Sequence, residues 1–125
     1  PTYRILIVED KPSNRQLLLE LLQPVGFDVR EAENGREAIA IWQSWQPHLI
    51  WMDLRMPVMD GYAATKQIKS APNAPIIIVL TGSAFEEERQ IAVATGCDDF
   101  IRKPFRAEVL FEKMTEYLGV RYIYK

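Results

Sequence analysis

Three short apolar runs, at positions 3–8 (YRILIV), 48–52 (HLIWM) and 76–80 (IIIVL), constrain this chain more than any other feature. A strand with one face in water alternates polar and apolar residues, whereas an unalternating run belongs to a strand covered on both faces. The segments between the runs supply the cover. Pro12 suits a helix start, Leu17, Leu18, Leu21 and Leu22 lie at helical spacing, and Pro24 with Gly26 closes the segment. A second strand over 27–32 leads through Asn34-Gly35 into a helix carrying Ala38, Ile39 and Trp42, and Pro47 precedes the third strand. A helix over 61–69, a loop over 72–75, the fourth strand, a helix from about 84 to 95, a short strand over 99–102 and a last helix over 106–118 follow in order. Regular strand–helix alternation with short connections implies right-handed crossovers, hence an α/β fold with a doubly wound parallel sheet.

A chain of 125 residues reads as one domain with an ordinary core. A net charge of -2 gives no electrostatic case for nucleic acid or an anionic membrane. No apolar run approaches the ~20 residues of a membrane helix, and the single cysteine, Cys97, cannot form an internal disulfide. The expectation is a cytoplasmic domain without nucleic-acid or membrane contact of its own. Its first residue is Pro1, as expected of a piece of a longer chain, and that parent could be membrane-anchored elsewhere.

Open doubly wound sheets bind ligands beyond the carboxyl ends of their strands. The first strand ends in Glu9-Asp10, the third in Asp53, the fourth in Thr81 and the fifth in Lys103, followed by Pro104. The second ends in Glu31-Ala32-Glu33, with nothing obviously placed for chemistry. One cleft could therefore collect three carboxylates, a hydroxyl and an ammonium. Carboxylates so crowded repel one another unless a cation sits among them. An oxygen-only donor set suits Mg²⁺, which keeps several waters and is commonly completed by a phosphoryl oxygen. A carboxylate beside such a cation can act as a nucleophile toward phosphorus.

Glu9-Asp10, MDLRMPVMDG (52–61), DDFIRKPF (98–105) and Thr81 together resemble the receiver domain of two-component response regulators, from about Tyr3 to Leu118. The stretch EDKPSNRQLLLELL (9–22), with Asn14-Arg15, is most similar to receivers of hybrid sensor histidine kinases. The resemblance implies a flavodoxin-like (βα)5 fold with strand order 2-1-3-4-5, a receiver domain over 1–119 and a short extension over 120–125. It implies that Asp53 is the phosphoacceptor, with Asp10 and Asp53 as direct Mg²⁺ ligands, Glu9 acting through water and the Arg55 backbone carbonyl completing the set. Lys103 and Thr81 would hold the phosphoryl group, Phe100 would be the aromatic switch residue, and Lys103–Pro104 would be a cis peptide. The partner implied is the phosphoacceptor domain of a histidine kinase or a histidine phosphotransfer protein. A weak homodimer through the fourth helix, fifth strand and fifth helix is left open.

Two alternatives stand beside the excised kinase receiver. One is a free-standing single-domain response regulator. The other is a haloacid-dehalogenase-type phosphatase, which would want a second aspartate two residues after the nucleophile, where this chain has Arg55. Lys11 and Gly82 depart from the common receiver pattern, and Arg55 and Ser83 are expected to flank the path of the hydrolytic water; these positions bear on cation affinity and phosphoryl lifetime. Elsewhere, Asp60 reads as a helix cap, Gly61 as a turn residue, His48 as structural or surface, Cys97 as packing, and Trp42 and Trp45 as cover for the second helix's seam.

Overall fold

The computed structural model describes residues 3–54, 59–82, 90 and 92–119. Strands β1 (Arg4–Val8), β2 (Asp28–Ala32), β3 (Leu49–Asp53), β4 (Ile76–Thr81) and β5 (Asp99–Arg102) form one parallel sheet in the order β2-β1-β3-β4-β5. Helices α1 (Pro12–Leu22), α2 (Gly35–Trp45), α3 (Gly61–Lys69) and α4 (Ala107–Leu118) connect or follow the strands. Gln90 and residues 92–94 are helical and belong to the helix expected over 84–95. Residues 84–89 and 91 of that expectation, together with Arg55, Ser83 and the 120–125 extension, lie outside the described residues, and Thr95 is in a turn. Among the described residues, no helix is long and apolar enough to cross a membrane.

The unalternating runs are explained by two cores, one on each side of the sheet. Ile5 and Ile7 of β1, Leu49 and Trp51 of β3, and Ile78 and Leu80 of β4 pack with Leu18, Leu22, Leu110 and Met114 of α1 and α4. Leu6 and Val8, Ile50 and Met52, and Ile77 and Val79 pack on the other side with Ala38, Ile39, Ala64 and Ile68 of α2 and α3. Because successive strand residues point to opposite faces, each central strand feeds both cores in turn. Every one of those strand residues is 0% exposed, and each fully buried aliphatic side chain is worth ~1.5–3 kcal/mol of transfer free energy. β2, at an edge, instead exposes Asp28, Arg30 and Glu31, charges that discourage pairing with another chain.

From β1 the chain winds outward to β2, then returns across β1 to start β3, so the winding direction reverses between β1 and β3. That reversal opens a crevice at the strand carboxyl ends. Two glycines fix the backbone leaving it. The Gly61 N–H donates to the Leu54 carbonyl at 2.9 Å, and the Gly35 N–H to the Met59 carbonyl at 2.8 Å. Neither glycine has a positive φ. Gly61 is therefore not the conformational turn residue its sequence context suggests. A Cβ there would run into the Asp53 carbonyl oxygen and lie 2.8 Å from Leu54 Cα, and one at Gly35 would lie 2.7 Å from the Met59 carbonyl oxygen. Close backbone approach is what excludes a side chain.

Candidate functional site

Period-two arithmetic places the charged residues before any distance is measured. Glu9 continues the Ile5, Ile7 series, Asp53 the Leu49, Trp51 series, and Lys103 follows Ile101, all on the α1/α4 face. Thr81 continues Ile77 and Val79 on the opposite face, where Phe100 packs against the second core. The acid groups and the lysine thus meet under α1. Lys103 Nζ lies 3.2 Å from Glu9 Oε2 and 3.3 Å from Asp53 Oδ1. One ligand oxygen each from Glu9, Asp10 and Asp53 can be chosen so that all lie within 4.8 Å of one another. Glu9 is fully buried and Asp53 nearly so.

One ammonium does not neutralise this cluster. Burial pushes the Asp53 carboxyl up to about 7, with the adjoining Glu9 adding to the effect and Lys103 opposing it. Burial acts in the same direction on Glu9, but its hydrogen bonds with Asp53 and Asn14 and the Lys103 charge outweigh burial and hold it below its ordinary value. The bond from Asn14 Nδ2 to Glu9 Oε1 is 2.6 Å. Two buried carboxyls that cannot comfortably ionise together, beside a third, form a site with room for more positive charge. Its all-oxygen donors fit Mg²⁺ better than a softer metal.

The cleft is open to a ligand. A cavity of about 280 Å³ is lined by Asp10, Lys11, Asn14, Asp53, Gly82 and Lys103. A second, of about 290 Å³, shares Asn14, Gly82 and Lys103 and continues between α1 and the segment after β5, where Leu17, Leu18, Pro104 and Phe105 make its walls apolar. Leu17 is 50% exposed there. The far wall is set by β4 and β5: the Lys103 N–H donates to the Thr81 carbonyl at 2.6 Å, and the Lys103–Pro104 peptide is cis. Thr81 itself is buried. Asp60 stands apart from this chemistry, its Oδ1 accepting from the Ala63 N–H at 2.9 Å as the cap of α3. At the opposite end of the sheet, His48 Nδ1 accepts from the Arg4 N–H at 2.9 Å.

The fold and cleft have close counterparts among known proteins. The chain belongs to the response regulator receiver domain family, whose pattern it matches over residues 5–115. It is 36% identical to the chemotaxis protein CheY of Halobacterium salinarum over 115 residues, covering 92% of this chain and 96% of that one. It superposes with a TM-score of 0.88 and 31% identity on the receiver domain of the sensor histidine kinase PA1611 of Pseudomonas aeruginosa, which has a magnesium ion coordinated in its active-site cleft, covering 96% of this chain and 100% of that chain. A third similarity, TM-score 0.87 at 34% identity over 94% of this chain and 89% of that chain, is to the Saccharomyces cerevisiae receiver of Ssk1 co-crystallised with the histidine phosphotransfer protein Ypd1. The chain spans only 20% of full-length SSK1. Within two-component and phosphorelay signalling, then, this is a receiver domain.

Two residues of the site have no part in the strand-end reading of the sequence. Asn14 and Arg15, both on α1, contact Glu9-Asp10 directly, Arg15 through the main-chain carbonyls. The signal available for them is their position, one helical turn past the acid pair.

Proposed function

We propose that this chain is a phosphorylation switch that accepts a phosphoryl group from a phosphohistidine onto Asp53. The observation that carries the reading is the meeting of Glu9, Asp10 and Asp53 at the β1/β3 reversal with Lys103 Nζ bridging two of them. An Asp53 carboxylate oxygen attacks phosphorus, the P–N bond of the donor breaks, and the imidazole nitrogen leaves with the electron pair. Asp10 and Asp53 would hold Mg²⁺ directly and Glu9 through water, with the backbone carbonyl of Arg55, outside the described residues, as the further ligand expected from the family resemblance. Bound there, Mg²⁺ would supply neutralisation of the charge developing on the phosphoryl oxygens. Lys103, already beside Asp53, pairs with a phosphoryl oxygen, and Thr81 hydrogen-bonds another. Its displacement lets Phe100 move, shifting the population of two surface states across β5 and its flanking helices.

The apolar cavity wall beside the acceptor, with Leu17 exposed, fits a histidine-bearing helix, so the partner is a histidine phosphotransfer protein or a kinase phosphoacceptor domain. The Ypd1–Ssk1 pairing and the PA1611 kinase receiver support that choice and an origin in a hybrid kinase, with residues 1–119 as the receiver unit and 120–125 as an extension. A free-standing regulator is the second reading, favoured by the nearly full-length similarity to CheY. In either case the domain works in the cytoplasm. Incubation with a phosphorylated phosphotransfer protein and Mg²⁺ should give a hydroxylamine-sensitive label on the wild type and none on Asp53→Asn. A label retained by Asp53→Asn would overturn the assignment.

A further inference from the structure

Strand β2 ends in carboxylates that belong to no part of the acceptor cleft, yet one side chain ties them to it. Arg15, with its side chain only 12% exposed, donates from Nη1 to the main-chain carbonyls of Glu9 at 2.8 Å and Asp10 at 3.2 Å. Its Nε donates to Glu31 Oε1 at 3.2 Å, and its Nη2 lies 3.6 Å from Glu33 Oε1. One planar guanidinium therefore joins the peptide that carries the acid pair to the end of an edge strand.

We propose that Arg15 is a positioning residue for the divalent-cation site, holding the Glu9-Asp10 peptide while Glu31 and Glu33 offset the charge it would otherwise present to the cation. The inference rests on the Mg²⁺ site of the proposed function. The acid pair sits on a connection of only three residues, 9–11, and Lys11 at the head of α1 makes no side-chain cap bond. Carboxylates whose backbone is free to shift lose conformational freedom when they close on a cation, and that loss weakens binding. Fixing both carbonyls beforehand removes part of it. An unpaired guanidinium against the Glu9-Asp10 main chain would repel a dication, but here it is half of an ion-paired cluster with two carboxylates. Only arginine can do this: its rigid fork presents one nitrogen to two carbonyls and another to a carboxylate, whereas lysine offers a point charge.

The sign of a measured change tests the idea. Arg15→Gln removes a positive charge from beside the cation site, so charge alone predicts tighter binding, whereas loss of positioning predicts weaker. Arg15→Lys keeps the charge, so charge alone predicts no change, whereas loss of the fork again predicts weaker binding. Mn²⁺, which takes the same oxygen donors as Mg²⁺, is titrated into the full chain and the free ion is followed by electron paramagnetic resonance, with Mg²⁺ as competitor. The dissociation constant should rise about 10-fold in Arg15→Gln, as for other groups that orient metal ligands, and by a smaller factor in Arg15→Lys. Urea unfolding in metal-free buffer is measured alongside. A loss of stability with unchanged or tighter Mn²⁺ affinity would make Arg15 a structural residue only and overturn the proposal. Arg15→Lys decides the matter if Arg15→Gln fails to fold. Failure of the wild type itself to bind Mn²⁺ would instead overturn the Mg²⁺ site, and is distinguishable at the first titration.

Discussion

Gly61→Ala should be destabilising although it places a better helix former at the first residue of α3. Helix propensity favours alanine by at most ~1 kcal/mol, and by less in a first turn. Against that stands the methyl group, which would meet the Asp53 carbonyl oxygen and lie 2.8 Å from Leu54 Cα and 2.9 Å from the Asp53 carbonyl carbon. All three neighbours are backbone, so no rotamer change relieves the overlap and β3 or α3 must move. Overpacking of this kind costs roughly 1–3 kcal/mol, and the upper half of that range applies because the main chain itself is obstructed. Net of propensity, the loss is about 2 kcal/mol. With a urea slope of roughly 1–3 kcal/mol/M, the midpoint should fall by about 1 M. Gly82→Ala is the matched comparison: its φ is not positive and a Cβ would meet nothing within 4 Å. Its midpoint should hold or rise slightly, because the unfolded chain loses freedom. The carbonyl displaced in Gly61→Ala is that of Asp53, so phosphoryl labelling should also slow under conditions where the variant remains folded. A Gly61→Ala midpoint equal to or above the wild type would refute the reasoning.

Two further outcomes follow from the polar contacts. Burial, and to a lesser degree the Arg4 cation, holds His48 below its ordinary pKa of 6.5, so the folded state binds its proton less readily than the unfolded chain. Its contribution is then complete above the unfolded pKa and shrinks as pH falls through and below it. His48→Asn keeps an acceptor for the Arg4 N–H without titrating, so the stability of wild type relative to variant should decline between pH 7 and pH 5, the range spanned by an ordinary histidine titration; a pH-independent difference in urea midpoints would contradict this. Asn34 Oδ1 accepts from the Glu37 N–H at 2.9 Å as the cap of α2, and Asn34→Ala should cost about 1 kcal/mol, with an unchanged thermal midpoint counting against that role.

The sheet was legible because its information is local and periodic. Apolar runs and their punctuation define β1, β3 and β4 to within a residue, and the same period assigns Glu9, Asp53 and Lys103 to one face. What the sequence hides is of two kinds. Arg15 acts on main-chain carbonyls, and a string of side chains does not show which backbone acceptors a helix will face. Its partners Glu31 and Glu33 look idle until β2 is known to lie beside β1, a fact of strand order and not of spacing. Gly61 shows the second kind: glycine is visible, but whether it answers a backbone angle or a close approach is decided by the path of β3. The contacts that fasten β5 to α4, Lys113 Nζ to Asp99 Oδ2 at 2.6 Å and Tyr117 OH to the Asp98 carbonyl at 3.0 Å, likewise join exposed-looking positions that only the fold brings together.

The double core also sets how this molecule can change over time. Replacing Ile50 disturbs one side of the sheet and leaves the other intact. Deleting Ile50 from β3, with the register before it kept, would send Trp51 to the wrong side and carry Asp53 away from the face it shares with Glu9 and Lys103. The central strands can therefore drift in spelling but not in length. Insertions and deletions are confined to connections such as the exposed turn at Pro72-Asn73, where counting does not matter.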